Sequence, residues 1–202
     1  MIKTIIFDIG GVITHSDFKA IYSGFAERIG IPPEFVIEYH KIHLDDLLLG
    51  NITLDGFWTD MRKAGGNPNL DYAKIWIEEG VKHRRVNKEL LDIIGQLRKH
   101  YSVGTLTNLT PLRELIDLEM HLYSHFDFSA FSFREHVKKP DPAFYELALK
   151  RARTEPEEAI FIDDKEQCTI GAEAVGMKSI LYVYPDNAKL LLDLKKLGIS
   201  IR

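Results

Sequence analysis

The chain has 202 residues, 45% hydrophobic and 28% charged, which is enough for one core with a small accessory domain. Its 26 Lys and Arg against 30 Asp and Glu give a net charge of −4, which excludes the basic footprint of a nucleic-acid-binding surface. A single cysteine excludes an intramolecular disulfide, and with no signal-peptide pattern at Met1-Ile2-Lys3 and no apolar run of bilayer length the expected location is the cytoplasm, away from membranes.

The first apolar run, Ile5-Ile6-Phe7-Asp8-Ile9-Gly10-Gly11-Val12-Ile13, reads as a buried strand. It delivers Asp8 into a turn whose glycines let backbone approach a ligand. Residues Asp17 to Arg85 carry helix-period apolar spacing, as in Phe18, Ile21, Tyr22, Phe25 and Ile29, with no period-two strand. Breaks at Gly30-Ile31-Pro32-Pro33, Gly50-Asn51 and Gly65-Gly66-Asn67-Pro68 divide this stretch into three or four helices. Phe57, Trp58, Tyr72 and Trp76 are expected to form its core. The pairs His40/His43 and His121/His125 lack a third ligand and read as surface or interface residues rather than zinc ligands. The sequon Asn51-Ile52-Thr53 is silent in a cytoplasmic protein.

A core helix is predicted over Asn87–Lys99, with Leu90, Leu91, Ile94 and Leu97 on one face. The strand-like run Ser102 to Thr107 ends in a hydroxyl and, at Asn108, an amide; both can hydrogen-bond phosphate oxygens. Further strands are predicted at Phe128–Ser132, Ala159–Ile162 and Ser179–Tyr184. Before the second of these, Lys138-Lys139-Pro140-Asp141-Pro142 places Lys139 on a stiff segment, with Asp141 as N-cap and Pro142 as first residue of a helix running to Ala152. Ala159–Ile162 terminates in Asp163-Asp164, two carboxylates that repel unless a cation accompanies them.

Strands alternating with helices predict an α/β fold, a Rossmann-like parallel sheet with helices on both faces. Ligands of such sheets bind beyond the carboxyl ends of the strands, where Asp8, Thr107 and Asp164 lie. The core is expected to comprise residues 1–16 and 86–202, with an inserted α-helical cap at 17–85.

These four polar segments, in this order, resemble the motifs of the haloacid dehalogenase superfamily, and the resemblance covers nearly the whole chain. It is most similar to small phosphatases with a helical cap, a group that includes sugar-phosphate phosphatases and the N-terminal phosphatase domain of soluble epoxide hydrolase. The resemblance implies a Mg²⁺-dependent phosphatase of a small phosphorylated metabolite, working through an aspartyl-phosphate, as monomer or homodimer. It makes Asp8 the nucleophile, has Gly11, Thr107, Asn108 and Lys139 bind phosphate, and has Asp8, the Gly10 carbonyl and Asp164 hold Mg²⁺ with Asp163 supporting them. The family usually has aspartate at position 10 as general acid/base, and here glycine stands there; His15 and Asp17 are the candidate replacements. Cys168 occupies a position where Asn or Asp is common, and reads as a small buried residue at a helix start. The alternative readings are a 2-haloacid dehalogenase, which needs no metal, and a non-catalytic phospholigand-binding protein.

Overall fold

The structure is a computed structural model that describes residues 1–200. In chain order, β1 (Thr4–Phe7) leads to a short strand, β2 (Thr14–Ser16). Helices α1 (Phe18–Ile29), α2 (Pro33–Ile42), α3 (Leu44–Leu48), α4 (Leu54–Lys63) and α5 (Tyr72–Lys82) follow. β3 (Arg84–Val86) then returns antiparallel to β2, with His15 opposite Arg85. The remainder alternates: α6 (Lys88–Leu97), β4 (Ser102–Thr107), α7 (Pro111–Glu119), β5 (Phe128–Phe131), α8 (Ser132–Glu135), α9 (Pro142–Ala152), β6 (Ala159–Asp163), α10 (Glu166–Ala174), β7 (Lys178–Leu181) and α11 (Asn187–Lys196).

Five strands form one parallel sheet in the order β5-β4-β1-β6-β7. The central strand β1 is buried on both faces, as its unbroken Thr-Ile-Ile-Phe run requires. Alternation assigns its side chains to opposite layers: Ile5 and Phe7 pack with Leu90, Ile94 and Leu194 of α6 and α11, and Ile6 packs with Phe144, Tyr145 and Ala172 of α9 and α10. Burying each such side chain contributes about 1.5–3 kcal/mol. A third cluster fills the helices between β2 and β3, where Phe25, Phe57, Trp58, Tyr72 and Trp76 meet mostly edge to face. The expected aromatic core is therefore in place. Leu112 and Ile116 of α7 belong to the same cluster, and Trp76 Nε1 donates to the Leu112 carbonyl at 2.8 Å.

Helix starts follow the sequence closely. Asp141 accepts from the Ala143 amide and caps α9 as predicted, and Asn87, read as the first residue of α6, caps it instead by accepting from the Leu90 amide. Three details differ. The stretch expected to hold three or four helices holds five, because Leu44–Leu48 winds as a separate short helix beyond His43. The β2–β3 ribbon escaped prediction because three-residue strands carry too little periodicity to register. β7 stops at Leu181 rather than Tyr184, since β6 ends at Asp163 and offers no further rung; Tyr182 only donates its amide to the Asp163 carbonyl.

Candidate active site

Parallel register brings three strand ends to one level. Phe7 lies opposite Thr105 of β4 and Ile162 of β6, so the residues that follow converge: Asp8 after β1, Asn108 after β4, and Asp163-Asp164 at the end of β6. They border a cavity of about 290 Å³ whose wall includes Asp8, Gly10, Gly11, Asn108, Lys139 and Asp164. Thr107 closes β4 and is buried.

Lys139 is buried, with its ammonium 3.0 Å from Asp8 Oδ1 and 2.6 Å from Asp163 Oδ2. Burial alone would lower its pKa, but the two carboxylates outweigh that and raise it, so the side chain stays charged. Asn108 fixes the segment: its Nδ2 donates to the Lys139 carbonyl at 2.9 Å and its Oδ1 accepts the Lys139 amide at 2.8 Å. One Nδ2 hydrogen of Asn108 remains for another acceptor. Asp163 is fully spent, with Oδ2 on Lys139 and Oδ1 accepting the Lys165 amide at 2.8 Å.

The other two carboxylates are short of partners. Asp8 Oδ1 and Asp164 Oδ1 are buried and accept no hydrogen bond, although the ammonium of Lys139 lies near the former. Oxygens of Asp8, Asp163 and Asp164 all lie within 4.8 Å of one another. Burial first, and then the charge of Asp8, raises the pKa of Asp164; burial also raises that of Asp163. Three carboxylates gather around the one ammonium of Lys139, with Lys165 and Arg113 the further cations of the cavity wall, and oxygen donors clustered in this way fit a hard divalent cation. Gly11 makes the approach possible: its φ is +83°, and a Cβ there would overlap the Asp164 carboxylate.

The remaining sequence candidates divide. His15 reaches the cavity wall, exposed and stacked on Tyr184. Asp17 does not reach it: the carboxylate accepts the Ala20 amide at 3.0 Å and caps α1. Cys168 is buried in the first turn of α10 at the cavity wall, and burial pushes its thiol up to about 11. His40 and His43 pack at a tilt against Tyr22 and Tyr39, and Asp8, Asp163 and Asp164 form the sole ligand cluster found among the described residues.

Sequence reasoning missed Arg113. It enters the cavity from the first turn of α7, where Thr110 Oγ1 accepts its amide at 3.2 Å, and its guanidinium lies 5.1 Å from the centre of the Phe18 ring. The Thr110-Pro111 pair, an N-cap and a first-turn proline just after Asn108, was the available signal for a helix presenting its first turn to the strand ends.

A buried carboxylate paired with lysine thus stands at the carboxyl edge of a parallel sheet, the edge at which such sheets bind ligands. A family model for the haloacid dehalogenase-like hydrolases matches residues 2–176, and the chain belongs to that family. It is 32% identical over 139 residues to a glyceraldehyde 3-phosphate phosphatase of Pyrococcus furiosus, an alignment spanning 63% of this chain and 58% of the relative. It is 26% identical over 222 residues to the bifunctional epoxide hydrolase 2 of Sus scrofa, spanning 99% of this chain and 40% of that protein. The chain thus spans about half the length of these relatives, or less. A solved family enzyme from Bacteroides thetaiotaomicron, in complex with magnesium and inorganic phosphate, superposes with a TM-score of 0.76 over 94% of this chain and 99% of its own, at 22% identity. No described helix is long and apolar enough to cross a membrane.

Proposed function

We propose that the protein is a Mg²⁺-dependent phosphatase of a small phosphorylated metabolite. The observation that carries this reading is the convergence of three carboxylates on one lysine at the strand ends, with two buried carboxylate oxygens that accept no hydrogen bond. The phosphatase relative from Pyrococcus furiosus supports the substrate class, and the magnesium and phosphate held by the Bacteroides enzyme agree with the ion. A metal-free 2-haloacid dehalogenase has no use for the clustered carboxylates, which would then be an electrostatic cost.

In this mechanism Asp8 attacks phosphorus in line, forming a carboxylate O–P bond as the ester P–O bond breaks, and water then hydrolyses the aspartyl-phosphate. Asp8, Asp164 and the Gly10 carbonyl hold Mg²⁺, which supplies charge stabilisation to the transferring group. Lys139 neutralises the phosphoryl oxygens and is itself held by Asp163 and the Asn108 amide. Thr107 and the Gly11 backbone complete the phosphate cradle. Residues 17–85 act as a cap on the core formed by 1–16 and 86–202, and select the substrate.

The test is a panel of phosphometabolites assayed with and without Mg²⁺, beside calorimetric titration of the ion. Magnesium-dependent phosphate release together with a stoichiometric Mg²⁺ isotherm is expected. Metal-independent release of halide from a 2-haloacid would replace this reading with the dehalogenase, and neither activity would leave a phospholigand-binding protein.

A further inference from the structure

Arg113 is a half-buried cation whose ion-pairing groups face a cavity. No carboxylate lies within 4.0 Å of its guanidinium among the described residues, and its Nε is buried with no hydrogen-bond partner. Its other neighbours offer no anion. Phe18 lies beneath the guanidinium, and His40, whose pKa burial and Arg113 depress to about 4, stays neutral nearby. Asp117, whose charge reaches Arg113, already has Oδ1 on Arg84 and Oδ2 accepting from Tyr123 at 2.9 Å. An unpaired guanidinium in such a place calls for an oxyanion from the ligand.

Its placement says which oxygen. Asp8, Lys139 and Asp164 gather at the strand ends, whereas Arg113, carried on the first turn of α7 beyond β4, extends its guanidinium over the ring of Phe18, the first residue of α1. In-line displacement puts the leaving oxygen on the face of phosphorus opposite the nucleophile, that is, away from the sheet. Gly10 is coupled to this arrangement. Its φ is not positive, so alanine is sterically allowed by the backbone, yet a Cβ would run into Arg113 Nη2.

We propose that Arg113 binds the leaving oxygen of the substrate, and that residue 10 is glycine because the guanidinium takes the room of its side chain. The inference rests on the phosphatase reading and narrows its substrate class. As the Asp8 O–P bond forms, the electron pair of the breaking P–O bond passes to the leaving oxygen, which departs as an anion beside the guanidinium. Arginine does not surrender its proton in proteins, so it stabilises that anion without protonating it. The favoured substrates carry leaving groups that depart as stable anions, such as acyl, enol or aryl phosphates, in preference to simple alkyl phosphates.

The experiment measures kcat and KM for a series of substituted phenyl phosphates and one alkyl phosphate, using the parent, Arg113→Met, Arg113→Lys, Gly10→Ala and the Gly10→Ala/Arg113→Met double variant, each shown folded by circular dichroism. Arg113→Met is expected to lower kcat by about 10²-fold for the poorest phenol leaving group and far less for the best, which steepens the leaving-group dependence. Lysine should restore part of the loss. Gly10→Ala should mimic the loss in the parent and add little to Arg113→Met, as expected for two residues sharing one space. An unchanged leaving-group dependence in Arg113→Met overturns the proposal, as does a uniform rise in KM with kcat intact. If the parent hydrolyses no phosphate and forms no fluoroberyllate adduct with Mg²⁺, the phosphatase reading falls and takes this one with it.

Discussion

Arg84 and Asp117 form an ion pair with both side chains fully buried, much as Lys139 pairs with Asp8 and Asp163, yet the two clusters differ in what they leave over. Beside the β2–β3 ribbon one guanidinium meets one carboxylate, Arg84 Nη2 donates to Thr14 Oγ1 at 2.8 Å, and Tyr123 donates to Asp117 Oδ2. Its carboxylate is supplied wholly from within the chain. At the strand ends three carboxylates gather around one ammonium; buried polar atoms that make no hydrogen bond occur in both clusters, Asp8 Oδ1 and Asp164 Oδ1 in one and Arg84 Nε, Arg84 Nη1 and Asp117 Oδ1 in the other, so the count of carboxylates per cation is what separates them. Burial of charge is thus no mark of a site by itself. A cluster whose charges cancel holds the fold, and a cluster left in deficit waits for something to bind.

The largest expected effect breaks the open cluster chemically. Asp8→Asn is nearly isosteric and removes the nucleophile, so turnover should fall to background while the circular dichroism spectrum stays unchanged; retained turnover would remove Asp8 from the mechanism. Next, Arg84→Met should destabilise the protein by about 3–5 kcal/mol in urea titration, because it strands Asp117 as an uncompensated buried charge. Adding Asp117→Leu should return much of that loss. Asp164→Asn should behave in the opposite way. It should weaken Mg²⁺ binding by on the order of 10–100-fold in calorimetry, yet raise the metal-free melting temperature, since the ionised side chain is disfavoured by burial and by Asp8.

The same contrast predicts a pH dependence. Burial pushes the Asp163 carboxyl up to about 6, and Asp164 is raised as well. A raised carboxylate pKa means that the folded state holds its proton more tightly than the unfolded state. The stability these groups contribute is therefore present in acid and lost as pH rises through their folded values. Stabilisation by Mg²⁺ should accordingly be larger at about pH 7.5 than at about pH 5, as read by thermal melts with and without the ion. The smallest expected effect is that of Gly10→Asp. A carboxylate there would meet Arg113 and form an ion pair, which depresses its pKa and makes it a poor proton donor. Its Cβ displaces the guanidinium as in Gly10→Ala, and this loss is set against the weak proton donor it adds, so alkyl phosphate hydrolysis should stay within about tenfold of the parent and a gain should appear only when Arg113→Gln frees the carboxyl.

The sheet was legible because parallel strands buried on both faces are written as continuous apolar runs, and the polar residues ending those runs named Asp8, Thr107 and Asp164 together. The Asp141 cap, and the start of α6 to within a residue, were legible because such signals and their helices are neighbours in sequence. Arg113 was not, since its meaning depends on Gly10, 103 positions earlier in the chain, and on the absence of a partner that only three dimensions reveal. The separate uses of Asp163 and Asp164 were suggested by the family resemblance alone; adjacent carboxylates look alike until one is seen tied to Lys139 and Lys165. Asp17, a candidate acid by proximity to Asp8, turned out to be a helix cap.

The cluster that joins the helices to α7 has an optical consequence. Both tryptophans of the chain, Trp58 and Trp76, lie within it, so emission excited above the tyrosine band reports on this layer alone while the sheet remains dark. Trp76 is hydrogen-bonded to the carbonyl of Leu112, the residue immediately before Arg113. A ligand that shifts that arginine is expected to change the emission of Trp76, an unlabelled fluorescent readout of the cavity that titration would test.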